Sequence, residues 1–284
     1  ILFLKICYFI IRPKLISLFR FRKLLVENNI HSFKRKFSSR IATIDDQLFF
    51  LQDSDYSQLL LDKNNFKSPS HLHYGNTSND EVNKMIIKNI IKPGDICVDI
   101  GAYIGNYTLF MANLVGPRGT VYAFEPNKET ILSLNNNIAL NGHENISLYD
   151  YAVGDFTGNN VFYKVDKTLG ATSNSTLVKN EKIAGDLKEY VKEESVKVIQ
   201  LDKFLENKKI KLIKIDVEGF ELNVLKGARE LISKYRPVII MEFISKRLQF
   251  LKINQNNFKE LLDEYYNAYE ITISIKSGKA ALEP

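Results

Sequence analysis

The run Cys97-Val-Asp-Ile-Gly-Ala-Tyr-Ile-Gly105, followed one strand later by Phe124-Glu125-Pro126, constrains this chain more than any other feature. Ile96 to Ile100 reads as a buried apolar strand that carries one acid, Asp99. A turn with Gly101 and Gly105 then opens a helix, and a second strand, Thr120 to Phe124, ends in Glu125. Glycine at such a turn takes dihedrals that a side chain resists and lets another group come close to the backbone. Glu125 follows Asp99 by 26 residues, at a spacing where a carboxylate can accept both hydroxyls of a ribose. Strand, turn, helix and strand thus enclose a place for a nucleoside.

Around this unit, strands and helices alternate, as expected for a mostly parallel sheet covered on both faces. Glu81 to Ile91 has a helical stripe of apolar residues, stopped by Pro93-Gly94. Asn127 to Leu140 is the next helix, ended by Asn141-Gly142, and Ile146 to Tyr151 is the third strand. Residues 154–194, rich in Gly, Asn, Ser, Thr and Lys, read as an insertion with a strand at Val161 to Val165. Val196 to Leu201 follows as another short strand. Leu212 to Asp216 and Pro237 to Phe243 are the fourth and fifth core strands, separated by a helix over Phe220 to Leu231. Asn256 to Tyr266 is a helix and Tyr269 to Ile275 a strand. The expected organisation is a basic N-terminal segment over residues 1–40, an accessory region over 41–80 and the main domain over 81–284.

Charge is unevenly placed. Of 39 basic and 33 acidic side chains, ten basic and one acidic lie in residues 1–40, which leaves 29 basic against 32 acidic in the rest. The body is mildly acidic, so a nucleic-acid footprint across the domain is not expected. Ile1 to Ile11 is apolar except for Lys5, and eleven residues are too few to cross a bilayer, which needs about 20. The segment reads as an amphipathic helix packed on the domain. The alternative is a basic helix making peripheral contact with an anionic membrane surface. No small-residue cleavage site follows it. Two widely separated cysteines, Cys7 and Cys97, suit a reducing, cytoplasmic setting.

The glycine turn admits three ligand classes, which its residues separate. A nucleotide-triphosphate loop would have Lys-Ser or Lys-Thr after the last glycine, where Asn106-Tyr107 stands. A dinucleotide turn would read Gly-x-Gly-x-x-Gly, with pyrophosphate over the helix N-terminus. Here Asp99 stands just before Gly101, which disfavours pyrophosphate and makes an NAD-type dehydrogenase the weaker alternative. The carboxylate suits a ligand carrying ammonium and sulfonium groups, such as S-adenosylmethionine, whose own carboxylate would face the helix N-terminus. Asp99 would then hold the methionine end and Glu125 the ribose. Gly101, Ala102, Tyr103, Gly105 and Asn106 would form the close turn, and Asp150, Tyr151 and Ala152 would border the adenine.

A second constellation is Ile213-Lys-Ile-Asp-Val-Glu-Gly-Phe-Glu-Leu-Asn-Val-Leu-Lys-Gly-Ala228. Asp216 ends a strand, and Glu218-Gly219 turns into the next helix. Ligands of open α/β sheets sit beyond the carboxyl ends of the strands, so Asp99 and Asp216 would flank one crevice. Glu221 reads as a helix-start residue favoured by the dipole.

Val98-Asp-Ile-Gly-Ala-Tyr-Ile-Gly-Asn-Tyr-Thr108, Phe124-Glu-Pro126, Ala152-Val-Gly-Asp155, Ile215-Asp-Val-Glu-Gly-Phe-Glu-Leu-Asn-Val-Leu-Lys-Gly227 and Met241-Glu-Phe243 resemble the ordered motifs of FkbM-type methyltransferases. The resemblance covers roughly Glu81 to Phe243. It implies a class I, Rossmann-like, S-adenosylmethionine-dependent α/β fold, to which residues 1–80, which carry no motif of that kind, would add an N-terminal helical or accessory extension. It also implies O-methylation, often of sugar hydroxyls in glycans or of natural products. Class I folds close with an antiparallel pair after the fifth strand, yet only nine residues follow Ile275, so Lys276 to Pro284 should supply a stub or the hairpin is truncated.

An aliphatic hydroxyl needs a base, worth roughly 100- to 10,000-fold. Asp216 or Glu218 is the expected base, with Glu242 in support. The same three acids could instead hold a divalent cation, a reading not favoured here. His71 and His73 are a further candidate pair. Two other functions stay open: a catalytically inactive donor-binding module, and a membrane-associated scaffold acting through residues 1–40. A small-molecule or glycan acceptor is the expected partner, and composition does not name it.

Overall fold

The computed structural model describes residues 6–11, 36–38, 41–44, 47–50, 78–165, 175–179, 191–262, 266–273 and 280–283. Its centre is five parallel strands: β5 (Ile96–Ile100), β6 (Thr120–Phe124), β7 (Ile146–Tyr149), β11 (Ile210–Ile215) and β12 (Val238–Phe243). They lie in the order β12-β11-β5-β6-β7 within an eight-stranded sheet. β5 and β12 are apolar apart from one acid each, and β11 apart from Lys211 and Lys214, because both their faces are covered.

Alternation along these strands divides the core in two. Val98, Ile100, Ile213, Ile215, Ile239 and Met241 face α5 (Glu221–Gly227) and α6 (Arg229–Tyr235). Cys97, Leu212, Val238 and Ile240 face α1 (Ser78–Ile90) and α2 (Asn106–Val115). By the two-residue period of a strand, Asp99, Lys214 and Glu242 belong to the second face, near the carboxyl ends. The order of the parallel strands and the helices on both sides define a class I methyltransferase fold.

The N-terminal helix expectation is corrected. Ile6–Ile11 forms a strand, β1, antiparallel to both β12 and β13 (Asn267–Ile273), and fills the slot between them. Six residues rich in Ile, Phe and Tyr suit a strand, and a short apolar run has no periodicity that separates the two. Residues 12–35, with much of the basic charge assigned to a membrane surface, lie outside the described residues. The C-terminal stub exists as β14 (Ala280–Glu283), antiparallel to β13 at the sheet edge.

Other boundaries shift for identifiable reasons. The third strand stops at Tyr149, and β8 (Ala152–Val153) leaves it to pair in a second sheet, β8-β10-β9. The expected insertion is mainly a hairpin of β9 (Gly158–Val165) and β10 (Val191–Ile199), after which Leu201–Phe204 is a short helix, α4. The single helix expected over Phe220 to Leu231 breaks at Ala228 into α5 and α6. There Gly227 lies so close to the Gly154 carbonyl that a Cβ would sit 1.8 Å from its oxygen. The remaining elements are α3 (Lys128–Leu140), α7 (Ser245–Phe250), α8 (Gln255–Leu262) and a small sheet of β2 (Lys36–Ser38), β3 (Ile41–Ile44) and β4 (Gln47–Phe50). No helix among the described residues is long and apolar enough to cross a membrane.

Candidate active site

Three sets of groups gather at and just beyond the carboxyl ends of β5, β6, β11 and β12. The first is Asp99 with Lys214. Cross-strand register puts Lys214 directly beside Asp99, and its ammonium lies 3.8 Å from Asp99 Oδ1 and 3.3 Å from Asp216 Oδ2. Thr108 Oγ1 donates to Asp99 Oδ2 at 2.6 Å. Asp99 is fully buried, and its Oδ1 makes no hydrogen bond among the described residues. Burial raises its pKa, against the pull of Lys214 and Thr108. Lys214 is buried too; burial opposes its charge, but Asp216 and Asp99 outweigh it and hold its pKa up. Its ammonium also sits 4.9 Å from the centre of the Tyr107 ring.

The second group is the Glu125 turn. Glu125 Oε2 accepts from Tyr103 N at 2.9 Å and Oε1 accepts from Asn127 N at 3.0 Å. These bonds hold Tyr103 in the left-handed region at φ 49°, uncommon for a residue with a side chain. Burial pushes the Glu125 pKa up to about 7 despite both bonds. Each carboxylate oxygen keeps a lone pair for a further donor.

The third group is Asp216, Glu218 and Glu242, each offering an oxygen within 4.8 Å of the others. Glu218 is buried at φ 57° in a turn with Gly219. Arg247 reaches it from α7: Nη2 pairs with Glu218 Oε2, and Nη1 lies 3.5 Å from Glu242 Oε2. Glu221 stands in the first turn of α5, as expected of a helix-start residue; it also accepts from Gly219 N at 2.9 Å, and burial raises its pKa to about 7.

The remaining expected residues are placed as follows. Gly101 (φ 77°) lies against β11: a Cβ there would be 1.9 Å from the Asp216 carbonyl oxygen. Gly105 (φ 100°) makes room for Leu134 of α3 in the same way, at 2.5 Å. Their small size thus serves packing within the protein. Ala102 is buried against Ala123 and Leu134. Asn106 Oδ1 accepts from Lys84 Nζ at 2.6 Å, and the Tyr107 hydroxyl accepts from Asn83 Nδ2 at 3.1 Å. Asp150 is exposed. Tyr151 stacks on Tyr149 at 6.0 Å, with Lys197 Nζ 4.3 Å from its ring centre. Ala152 packs with Phe162, Val196 and Val198 in the second sheet. His71 and His73 lie outside the described residues.

Sequence reasoning missed Lys214 and Arg247. Lys214 had a signal: it is the one charged residue in the stretch Leu212 to Ile215, where a strand buried on both faces should be apolar. Arg247 had none, because nothing in Ser245-Lys246-Arg247 says which cation turns inward.

Residues 99–268, 170 of the 284, match the model of the Methyltransferase FkbM domain. The chain belongs to that methyltransferase family. It is 32% identical over 146 residues to "Methyltransferase 1" of Beauveria bassiana (strain ARSEF 2860), covering 46% of this chain. The match spans only 57% of that relative's length. Among solved structures, methyltransferase FkbM from Methylobacillus flagellatus KT is 16% identical, with 70% of this chain and 49% of that one covered and a TM-score of 0.43. A putative rRNA-methylase from Clostridium thermocellum is 14% identical, covering 73% and 93%, with a TM-score of 0.38. These structural likenesses are too low to carry an argument about substrate.

Proposed function

We propose that this chain is an S-adenosylmethionine-dependent O-methyltransferase acting on a hydroxyl of a sugar, glycan or natural product. The observation that carries the reading is Asp99 Oδ1, a fully buried carboxylate oxygen that accepts no hydrogen bond among the described residues, with the Lys214 ammonium standing off at 3.8 Å. A buried oxygen of this kind costs stability unless something donates to it, and a ligand ammonium fits it. Glu125 suits ribose hydroxyls, with its two backbone donors fixing the carboxylate in place. The donor supplies a sulfonium methyl that an oxygen can take by in-line displacement.

What the protein adds is position and a proton acceptor. Asp99 and Glu125 orient the two ends of the donor, which places the reactive carbon relative to the Asp216–Glu218–Glu242 cluster. Asp216 or Glu218 takes the acceptor's hydroxyl proton, and Glu242 supports that charge arrangement. An O-acceptor fits the carboxylates, and the FkbM resemblance points to sugars or natural products.

Titration calorimetry with S-adenosylmethionine tests the donor, and labelled methyl transfer across a panel of glycans tests the acceptor. The expected results are saturable binding that weakens in Asp99→Asn, and base-stable label on an acceptor oxygen. No donor binding by the folded parent, or label found only on nitrogen or carbon, ends the reading.

A further inference from the structure

Two buried carboxylates, Glu218 and Glu242, and the half-buried Asp216 offer oxygens within 4.8 Å of one another and need positive charge nearby, since like charges at that range repel strongly in a poorly solvated site. Arg247 is placed to give it. Its guanidinium forks between two elements, one nitrogen on Glu218 of the β11–α5 turn and the other on Glu242 of β12. A planar fork suits such bridging in a way that a lysine ammonium does not. Burial opposes the charge on Arg247, but Glu218, Glu242, Glu221 and Asp216 outweigh it and keep its pKa high.

The backbone is shaped around this side chain. Gly219, at φ 109°, leaves the lane through which the arginine stem passes: a Cβ there would lie 2.9 Å from Arg247 Cδ and 3.2 Å from Leu251 Cδ1. Glu218 sits beside it at φ 57°, a strained conformation for a residue with a side chain. Two consecutive left-handed residues and an omitted Cβ thus hold a carboxylate against one arginine.

We propose that Arg247 is the built-in counter-cation of the Glu218–Glu242 side of this cluster, whose Asp216 is paired with Lys214, and a positioning residue that aims both glutamates and occupies the place a divalent ion would take. Methyl transfer then needs no added divalent metal, and loss of the guanidinium converts the cluster into a cation site. The inference deepens the methyltransferase reading and rests on it for the meaning of the acceptor side. Donor binding, measured separately, tells a failure of that reading from a failure of this one.

The test is a double-mutant cycle with manganese as the probe. Arg247→Ala should lower the thermal midpoint, and adding Glu242→Gln should recover part of the loss, because it removes one of the charges left unbalanced. A merely structural arginine gives losses that add. The parent should bind Mn²⁺ at least about tenfold more weakly than Arg247→Ala in electron paramagnetic resonance titrations, since carboxylate oxygens are the ion's preferred ligands. Arg247→Lys should exclude the ion again in part. If Arg247→Ala does not fold alone, Mn²⁺ should restore its fold, and the parent's own titration still decides. Mn²⁺ bound by the parent and lost in Glu242→Gln overturns the proposal. Additive losses in the cycle, or loss of parental turnover on chelation, do so as well.

Discussion

Replacing Glu125 by Gln should separate donor recognition from folding. The carboxylate accepts from Tyr103 N and Asn127 N, one on each oxygen, and has a lone pair on each for a ribose hydroxyl. Gln keeps the shape but removes the charge, and turns its amide nitrogen toward one of those two N–H donors. A hydrogen bond to a charged group is worth about 1.5–3 kcal/mol, so donor affinity should fall by roughly 10- to 150-fold. The pH adds a second signature. In the free protein burial pushes the Glu125 pKa up to about 7. Ribose hydroxyls donate to the ionised form, so binding must first expel a proton at lower pH. The ionised fraction rises about 15-fold between pH 5.5 and 7, a window in which an α-amino group stays protonated. The parent's Kd from calorimetry should tighten by about that factor over the window, and Glu125→Gln should lose most of the dependence. A parental Kd that changes less than about twofold, or a Gln variant that binds like the parent, would refute the argument.

Lys214→Met should strand Asp99 and Asp216 without their cation and cost about 3–5 kcal/mol, read by chemical denaturation; a loss under about 1 kcal/mol would mean water already serves that site. Gly101→Ala forces a Cβ to within 1.9 Å of the Asp216 carbonyl oxygen, so β5 and β11 must part and the thermal midpoint should drop sharply; an unchanged midpoint contradicts the packing. Phe9→Pro breaks β1 where it pairs with both Ile240 and Tyr269, and should destabilise the main domain in thermal melts. A melt like the parent's would mean that β1 does not close the sheet. Glu125 and Glu221 hold protons in the native state up to about pH 7, above their ordinary value of 4.5. Their contribution to stability is full below pH 4.5 and falls as pH rises toward 7, which urea titrations across that range would detect.

Much of the fold and part of the candidate site were legible in the chain itself. Asp99, Glu125, Asp216, Glu218 and Glu242 all lie at or just beyond strand ends, and strand ends can be read from apolar runs and the glycines after them. The family motifs are local for the same reason: each lies around the end of one strand and runs at most into the turn and helix that follow. Ile6–Ile11 misled because six apolar residues have no period of their own, and only an open slot between β12 and β13 decides for a strand. The close approach of Gly227 to Gly154, 73 residues earlier in the chain, is likewise invisible to any local pattern.

The chain alone determined which acids stand at the ends of which strands, since burial of an apolar strand and the chemistry of its turn act over a few residues. Tertiary structure alone decided what balances those acids. Lys214 meets Asp99 through the register of two strands far apart in sequence, and Arg247 meets Glu218 and Glu242 by turning back from α7. Counter-charges are chosen by proximity in space, and the order of residues along a chain does not encode distance across a sheet.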